Sequence, residues 1–201
     1  MSFQNAIALT GGIATGKSSV CSLLQLYGFK IIDADTVAHM MLEIHIDKVS
    51  KLFGDEYIFE GKVDRKKLGG LIFSDKSQRL RLEELLHPLI KEEIKKQSAF
   101  CESKKVPYIV DIPLFFENKN YDIDEVAMVY CTKEQQLQRL VDREGLNEVE
   151  AQKRVDAQMA IDEKKDLASF VIDNTQNLKH LQKEVDRFVS YIKIKYPNIK
   201  V

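Results

Sequence analysis

Residues 11–18 have the side-chain types and spacing that bind nucleotide phosphates. They match G-x-x-x-x-G-K-[ST] at every fixed position. Glycines let backbone N–H groups turn around phosphate oxygens, and the start of a following helix adds partial positive charge there. The Lys17 ammonium can bridge the β- and γ-phosphates, and the Ser18 hydroxyl can ligate Mg²⁺. We therefore expect phosphoryl transfer with ATP and Mg²⁺, and a nucleotide site formed by Gly11, Gly12, Ile13, Ala14, Thr15, Gly16, Lys17, Ser18 and Ser19.

Acidic residues lie where predicted strands end, and they could orient the group that accepts the phosphate. One strand ends in Ile32-Asp33-Ala34-Asp35, and the next ends at Asp111. Parallel strands joined by right-handed crossovers end at one edge of the sheet, where ligands bind. Asp33 and Asp35 could thus orient a hydroxyl and accept its proton, or could serve only to cap a helix. Asp111 could hold Mg²⁺ through water, or could bond a loop backbone.

The acidic strand end also indicates the class of acceptor. A carboxylate beside the acceptor suits a neutral hydroxyl and repels a phosphate group. An enzyme that acts on nucleoside monophosphates would instead need clustered arginines at this point. Asp33 therefore favours a hydroxyl as the accepting group.

Four cations, Arg139, Arg143, Arg154 and Lys164, lie in the charged segment after the fourth predicted strand. Arginine stabilises the charge of a transferring phosphoryl group, and one well-placed arginine contributes about 10³–10⁵ in rate. A mobile lid carrying such arginines would also exclude water. The alternative is a set of solvated helix faces with Glu–Arg pairs, which fits Arg143 and Lys164 better than Arg139 and Arg154.

These residues need a fold that brings strand ends together. Five strand-like runs, at 6–10, 29–33, 106–111, 126–131 and 170–173, alternate with amphipathic helical stretches. This alternation is typical of an α/β fold with a parallel sheet covered by helices. Thr132 and Gln135 predict the capping box of one helix, and the last helix is predicted to bury Leu178, Leu181, Val185, Phe188, Val189 and Ile192.

Two local signals predict interruptions in the mostly helical stretch 34–100. Phe59-Glu60-Gly61-Lys62 predicts a turn. His87 precedes Pro88, so we expect an extended backbone at His87. A lone histidine in an apolar setting is more often structural than functional.

Composition limits the partners of the chain. Its 201 residues suffice for one domain with a small insertion, and 30 basic against 31 acidic residues argue against nucleic-acid or membrane binding. Cys21, Cys101 and Cys131 are widely spaced, which favours reduced, buried thiols. The N-terminus lacks signal-peptide features, and no apolar run approaches the ~20 residues that cross a bilayer. We expect a soluble cytoplasmic protein, a monomer or weak oligomer, with a small-molecule substrate.

Taken together, these motifs make the chain resemble the dephospho-CoA kinase family from about Ala6 to Asn174. The resemblance rests on Ala8-Leu9-Thr10-Gly11-Gly12-Ile13 with Gly16-Lys17-Ser18, Ile32-Asp33-Ala34-Asp35, Leu86-His87-Pro88-Leu89, Ile112-Pro113-Leu114-Phe115-Phe116-Glu117 and Val171-Ile172-Asp173-Asn174. Many kinases share the phosphate-binding residues, but the combination is typical of this family. The chain departs from it at Ala14-Thr15, where Gly-Ser is commoner and where we expect no harm. It also has a shorter path at 41–46, which leaves acceptor contacts between 38 and 48 open.

The resemblance implies a three-layer P-loop kinase fold with a central parallel five-stranded sheet. The core would comprise 1–35, 101–137 and 166–201, with a helical acceptor-binding insertion at 36–100 and a helical lid at 138–165. It further implies ATP-dependent phosphorylation of the ribose 3′-hydroxyl of dephospho-CoA, giving coenzyme A and ADP, with Asp33, Lys17 and Arg139 at the reacting groups. Implied acceptor contacts are Thr10, Asp33, Asp35, Arg65, Phe73, His87 and Leu114. Arg139, Arg154 and Asn174 would contact the nucleotide, while Ser18 and Asp111 are the predicted metal contacts.

Two other functions share some of these features. Another P-loop small-molecule kinase, or a nucleoside monophosphate kinase, would have the same phosphate-binding residues. A GTPase-like switch is disfavoured, because Asn118-Lys119-Asn120-Tyr121-Asp122 is one residue too long for N-K-x-D. The D-x-x-G match at Asp142-Arg143-Glu144-Gly145 follows a charged helix instead of a strand.

Overall fold

Apolar runs form the central sheet of the computed structural model, which describes residues 3–118 and 120–197. The strands of the chain are β1 (Ala6–Gly11), β2 (Ile31–Asp33), β3 (Ile58–Phe59), β4 (Lys62–Val63), β5 (Tyr108–Asp111), β6 (Glu125–Tyr130) and β7 (Phe170–Asp173). Five of them form one sheet in the order β2-β5-β1-β6-β7, and β1 lies parallel to β5 and β6. The predicted parallel α/β sheet is confirmed, and every residue of β1 is buried, as expected when helices cover both faces.

Helices connect the strands, and local signals account for several of their ends. The helices are α1 (Lys17–Leu26), α2 (Ala34–Ile44), α3 (Ile46–Phe53), α4 (Arg65–Ser74), α5 (Lys76–Lys104), α6 (Phe115–Asn118), α7 (Lys133–Glu144), α8 (Glu148–Asp156), α9 (Ile161–Leu167) and α10 (Leu178–Lys195). Thr132 and Gln135 form the predicted capping box of α7, and Gly145 ends that helix in the left-handed conformation. Asn147 caps α8 by accepting a hydrogen bond from the Glu150 N–H.

The apolar sides of α1 and α10 pack in one core cluster with sheet residues. Ile7 and Leu9 of β1 lie in this cluster with Val20 and Leu24 of α1. The helix α10 contributes Leu181, Val185, Phe188, Val189 and Ile192, all of which are buried as predicted. Burying a side chain of this size stabilises the fold by about 1.5–3 kcal/mol. The prediction is wrong for Leu178, which is 71% exposed because it begins α10, beyond the buried stripe.

The chain divides into two compact units. One runs to Ile32 and resumes at Ser98, and the other comprises Asp33–Gln97. The first unit contains the phosphate-binding residues and most of the sheet. The second contains α2, α3, α4 and a hairpin of β3 and β4, in which Ile58 pairs with Val63. The predicted turn is confirmed, because Glu60 and Gly61 both have a positive φ, as the type I′ two-residue hairpin loop requires.

The extended backbone predicted at His87 is wrong. Both His87 and Pro88 lie inside α5. A proline inside a helix costs roughly 3 kcal/mol, because it removes one hydrogen bond and crowds the preceding turn. The same helix buries Leu82, Leu86, Ile90 and Ile94 at four-residue spacing, and that burial outweighs the local preference of the residue before proline.

Candidate active site

Residues 11–18, hereafter the phosphate loop, connect the end of β1 to the start of α1, as the sequence predicted. Thr15 closes the loop, since its hydroxyl donates to the Gly12 carbonyl at 2.9 Å. Gly16 has a φ of 91°, which an L side chain rarely adopts. A β-carbon at Gly16 would also lie 2.3 Å from the Asn174 amide nitrogen. Glycine is therefore required here by both conformation and space.

Two glutamines hold the Ile13 backbone from outside the loop. Gln136 of α7 donates from Nε2 to the Ile13 carbonyl at 2.7 Å, and the Ile13 N–H donates to Oε1 of Gln158 at 2.8 Å. A β-carbon at Gly12 would lie 2.4 Å from Nε2 of Gln136 and 3.0 Å from Cδ1 of Ile161. The sequence did not single out either glutamine, because neither belongs to a local motif.

Arg139 and Asn174 hold the carbonyl side of the same loop. The Arg139 guanidinium donates to the carbonyls of Ala14 and Thr15, both at 3.2 Å, and to that of Asn174 at 2.8 Å. The buried Asn174 side chain donates to the Thr15 carbonyl at 2.7 Å. Arg139 and Asn174, two of the predicted nucleotide contacts, therefore lie at the phosphate loop. In this conformation Arg139 stabilises the loop itself, and its contact with reacting groups remains a prediction.

Ala14 carries backbone strain, because its φ is 60°. We expect Ala14→Gly to raise the melting temperature by roughly 2–4 °C, the shift for about 1 kcal/mol in a chain of this size. A β-carbon in the left-handed conformation costs about 1–2 kcal/mol, and glycine removes this cost. Glycine also gives the unfolded chain more conformational entropy, which destabilises the fold by about 0.5–1 kcal/mol, so the net change is stabilising. Scanning calorimetry measures the change. Ala151→Gly, in the buried face of α8, is the control and should lower the melting temperature. A lower melting temperature in both variants would contradict backbone strain at Ala14.

Lys17 and Asp111 form an ion pair through Nζ and Oδ1. The Cys21 thiol donates to Oδ2 of the same carboxylate at 3.3 Å. Asp111 ends β5 and is largely buried. The pair holds the Lys17 ammonium at the first turn of α1, beside the helix N-terminus that favours anions.

The predicted magnesium contacts are a hydroxyl and a carboxylate, which are kinds of oxygen donor that this ion binds. Ser18 is exposed on the first turn of α1, and Asp111 supplies a carboxylate. Within residues 3–118 and 120–197, three or more acidic, His or Cys side chains nowhere cluster as metal ligands. Mg²⁺ in nucleotide sites usually binds one or two carboxylates, phosphates and waters, so it does not need such a cluster.

Two cavities adjoin the phosphate loop. One of about 300 Å³ is lined by residues 11–19 together with Pro113, Arg143 and Gln158. The other, about 420 Å³, is lined by Ala14, Gly16, Ser19, Arg139, Asp142, Arg143 and Asn174. Arg143 lines both cavities, although the sequence pattern favoured a solvated helix face for it.

Arg143, Arg154 and Lys164 are the other predicted lid cations, and their partners differ from those of Arg139. Arg143 and Arg154 both pair with Glu144, at 2.6 and 2.5 Å. The pKa of the Glu144 carboxyl is lowered, mainly by its hydrogen bond from Arg143. Arg154 lines neither cavity, so its contact with nucleotide remains a prediction. The solvated-face interpretation is wrong for Lys164, whose side chain is 0% exposed.

The unit Asp33–Gln97 has a cavity of its own. It measures about 800 Å³ and is lined by His39, Phe59, Glu60, Lys62, Val63, Asp64, Arg65 and Lys66. Basic side chains outnumber acidic ones, and Asp64 already accepts the Lys67 N–H at 3.0 Å as the cap of α4. The wall therefore suits an anionic group, and it includes Arg65, one of the predicted acceptor contacts.

Comparison with known proteins shows the family of the chain. The family model for dephospho-CoA kinase matches residues 5–180. The chain belongs to the dephospho-CoA kinase family. It is 50% identical to a dephospho-CoA kinase of Sulfurimonas denitrificans over 98% of each chain. It is 44% identical to that of Wolinella succinogenes over 96% of each chain.

A solved dephospho-CoA kinase from Campylobacter jejuni has the same fold. The TM-score is 0.74 at 31% identity, covering 97% of this chain and 99% of that one. Family membership confirms the predicted resemblance and identifies the protein as a kinase, which implies ATP as co-substrate. The GTPase-like alternative does not fit; Lys119 of its N-K-x-D match lies outside the described residues.

The remaining predicted contacts of this dephospho-CoA kinase family member have varied environments. Asp33 is exposed, and its Oδ1 accepts the Thr36 N–H at 2.9 Å as the cap of α2. Asp35 is exposed in the first turn of α2. Phe73 is 93% exposed and thus open to a ligand. Thr10 is fully buried and donates to the Pro113 carbonyl at 3.1 Å, so an acceptor contact by Thr10 remains a prediction.

His87 of α5 and Leu114, which precedes α6, are each partly buried. The three cysteines, all in the described part of the chain, form no disulfide bond; Cys101 and Cys131 are buried and Cys21 is partly buried. Burial raises the pKa of the Cys131 thiol. No helix within residues 3–118 and 120–197 combines the length and apolar character needed to cross a bilayer.

Proposed function

We propose that this protein transfers the γ-phosphoryl group of ATP to the ribose 3′-hydroxyl of dephospho-CoA, giving coenzyme A and ADP. The family match over residues 5–180 is the observation that carries the proposal. The phosphate loop supports it, since every residue type needed to bind nucleotide phosphates is present and correctly placed between β1 and α1.

Each of the proposed site residues has a role in phosphoryl transfer. The Lys17 ammonium and the N–H groups of the phosphate loop bind the β- and γ-phosphates and stabilise the charge of the transferring group. Ser18 and Asp111 would hold Mg²⁺, which supplies further charge neutralisation when bound. Asp33 orients the ribose hydroxyl and accepts its proton as the oxygen–phosphorus bond forms.

Arginines near the phosphate loop complete the nucleotide site. Arg143 lines both cavities there and its guanidinium is only partly engaged, by Glu144. We assign Arg143 to the phosphates, Arg139 to the transferring phosphoryl group as the sequence predicted, and Asn174 to the adenine side of the loop. Arg154 would join them when the lid at 138–165 closes over ATP.

The basic cavity of the unit Asp33–Gln97 suits the phosphate groups of the acceptor. Arg65 lies at the start of α4, where a guanidinium can bind phosphate oxygens in a bidentate manner. Exposed aromatic rings at Phe59 and Phe73 could contact apolar parts of the acceptor. We therefore assign this cavity to the charged diphosphate of the acceptor.

We expect Arg65→Ala to raise the KM for dephospho-CoA about 10- to 100-fold while the KM for ATP is unchanged. A hydrogen bond to a charged group contributes about 1.5–3 kcal/mol, which corresponds to this range. Steady-state kinetics with each substrate varied in turn measures both constants. Arg79→Ala is the control, because Arg79 forms only a 3.8 Å surface pair with Glu83 in the same unit. An equal change in both variants would remove Arg65 from the acceptor site.

A panel of acceptors tests the proposed function directly. The purified protein should convert ATP to ADP when dephospho-CoA is added. Shikimate, cytidylate and adenylate should have no such effect. Turnover with one of these, and none with dephospho-CoA, would leave a kinase of different specificity.

We further infer a cytoplasmic protein that is a monomer or weak oligomer and has no nucleic-acid or membrane partner. The net charge of −1 supports this, since neither phosphate polymers nor anionic lipids would be attracted strongly. Three cysteines that form no disulfide bond in the described residues also suit a reducing compartment.

A further inference from the structure

Lys164 is a buried cation near the phosphate loop. Its side chain is 0% exposed, and its ammonium lies 2.6 Å from Oε1 of Glu117. Burying a charge is costly, so lysine is rarely fully buried unless it is paired. A pair that served stability alone could be replaced by apolar side chains, often without loss. Stability alone therefore does not explain why this ion pair lies beside the phosphate loop.

The pair contacts the beginning of the phosphate loop directly. Nζ of Lys164 lies 3.5 Å from the carbonyl oxygen of Gly11, the first residue of the loop. The Gly11–Gly12 peptide unit is planar, so fixing its carbonyl also fixes the direction of the Gly12 N–H. Lys164 thus acts on the backbone that precedes the phosphate-binding turn.

A second route joins the same pair to Ile13. Oε1 of Glu117 also accepts the N–H of Met159 at 3.2 Å. The neighbouring residue, Gln158, accepts the Ile13 N–H at 2.8 Å. Glu117 therefore fixes the 158–159 segment, which in turn holds the loop two residues beyond Gly11.

We propose that Lys164 and Glu117 are positioning residues for ATP. Their buried ion pair holds the phosphate loop in its binding shape through Gly11 and through the 158–159 segment. The inference rests on ATP binding by the loop and not on the identity of the acceptor. Any lid movement that displaced α9 would move Lys164, so the pair also couples the lid region to the loop.

The test separates positioning from stability by removing both charges at once. In Lys164→Met alone, the partly buried Glu117 keeps its charge without the ammonium that neutralises it, so loss of stability is expected in either role. The double variant Lys164→Met/Glu117→Gln removes that penalty. We expect it to melt near the wild-type temperature and yet to bind ATP about 10- to 100-fold more weakly, the size of effect known for metal sites that lose a group orienting a ligand-binding residue. Titration calorimetry with ATP and Mg²⁺, without acceptor, measures the affinity.

Two further variants sharpen the result. Lys164→Arg keeps the charge and the donors, and it should recover most of the ATP affinity. Lys195→Met is the matched control, because Lys195 pairs with the buried Glu125 in the same unit. It should leave ATP affinity within about twofold of the wild type, since it touches no part of the loop.

The outcomes are distinct. A double variant that is folded and binds ATP like the wild type overturns the proposal. If the double variant does not fold, Lys164→Gln/Glu117→Gln decides, since it removes both charges and keeps polar side chains at both positions; wild-type ATP affinity there overturns the proposal as well. Failure of the wild type to phosphorylate dephospho-CoA would instead refute the proposed function and leave the affinity comparison valid.

Discussion

Asp33→Asn should lower kcat by about 10²–10⁴-fold, the usual effect of losing a general base, while leaving the KM for ATP unchanged. Asp33 also caps α2, because its carboxylate accepts the Thr36 N–H at 2.9 Å. Asparagine caps helices about as well as aspartate. The fold should therefore be preserved, and only the proton acceptor is lost. Initial rates with saturating ATP and dephospho-CoA measure kcat.

A matched control tests whether capping alone could produce the effect. Asp75 accepts the N–H groups of Ser77 and Gln78, at 2.7 and 3.3 Å, at the start of α5. Asp75→Asn should keep normal kcat. If Asp33→Asn also turned over at a near-normal rate, Asp33 would be a helix cap and another group would take the proton.

Lys17→Ala should weaken ATP binding and lower kcat/KM for ATP by about 10³-fold, near the upper value for losing one donor to a developing charge. Lys17 is the only basic residue in the sequence 11–18, and its charge stabilises both bound and transferring phosphates. Titration calorimetry and steady-state rates measure the two effects separately.

The ion pair between Lys17 and Asp111 adds a second readout. Loss of the ammonium leaves the largely buried Asp111 carboxylate without this partner, so the melting temperature should also fall. Lys133→Ala is the control, because it removes an exposed pair with Asp156 at 2.9 Å in the same unit. It should affect neither ATP affinity nor rate. Normal ATP binding by folded Lys17→Ala would contradict the role of the phosphate loop.

Contiguous patterns predicted the five strands of the central sheet and the start of α7. The strands were predictable because parallel sheets bury both faces and so need unbroken apolar runs. The Thr132–Gln135 box and the Glu60-Gly61 turn were predictable because their hydrogen bonds join near neighbours in the chain. Leu178 shows the limit of periodicity, which indicates a face but not where its burial ends.

His87 shows local preference overridden by packing. The residue before a proline favours extended geometry, yet α5 continues through Pro88. Burial of apolar residues on both sides of His87 along that helix decides its conformation. Such burial depends on what lies against the helix, and no short window of sequence contains it.

The sequence by itself determined the phosphate loop, the strand ends that carry Asp33 and Asp111, and the kinase family. Only the tertiary structure showed that Gln136, Gln158 and the Glu117–Lys164 pair hold the loop, and that Arg143 lines its cavities. The physical reason is range. A phosphate loop is formed by consecutive backbone groups, whereas its supports are hydrogen bonds and ion pairs between residues more than a hundred positions apart, or 47 apart for the Glu117–Lys164 pair itself.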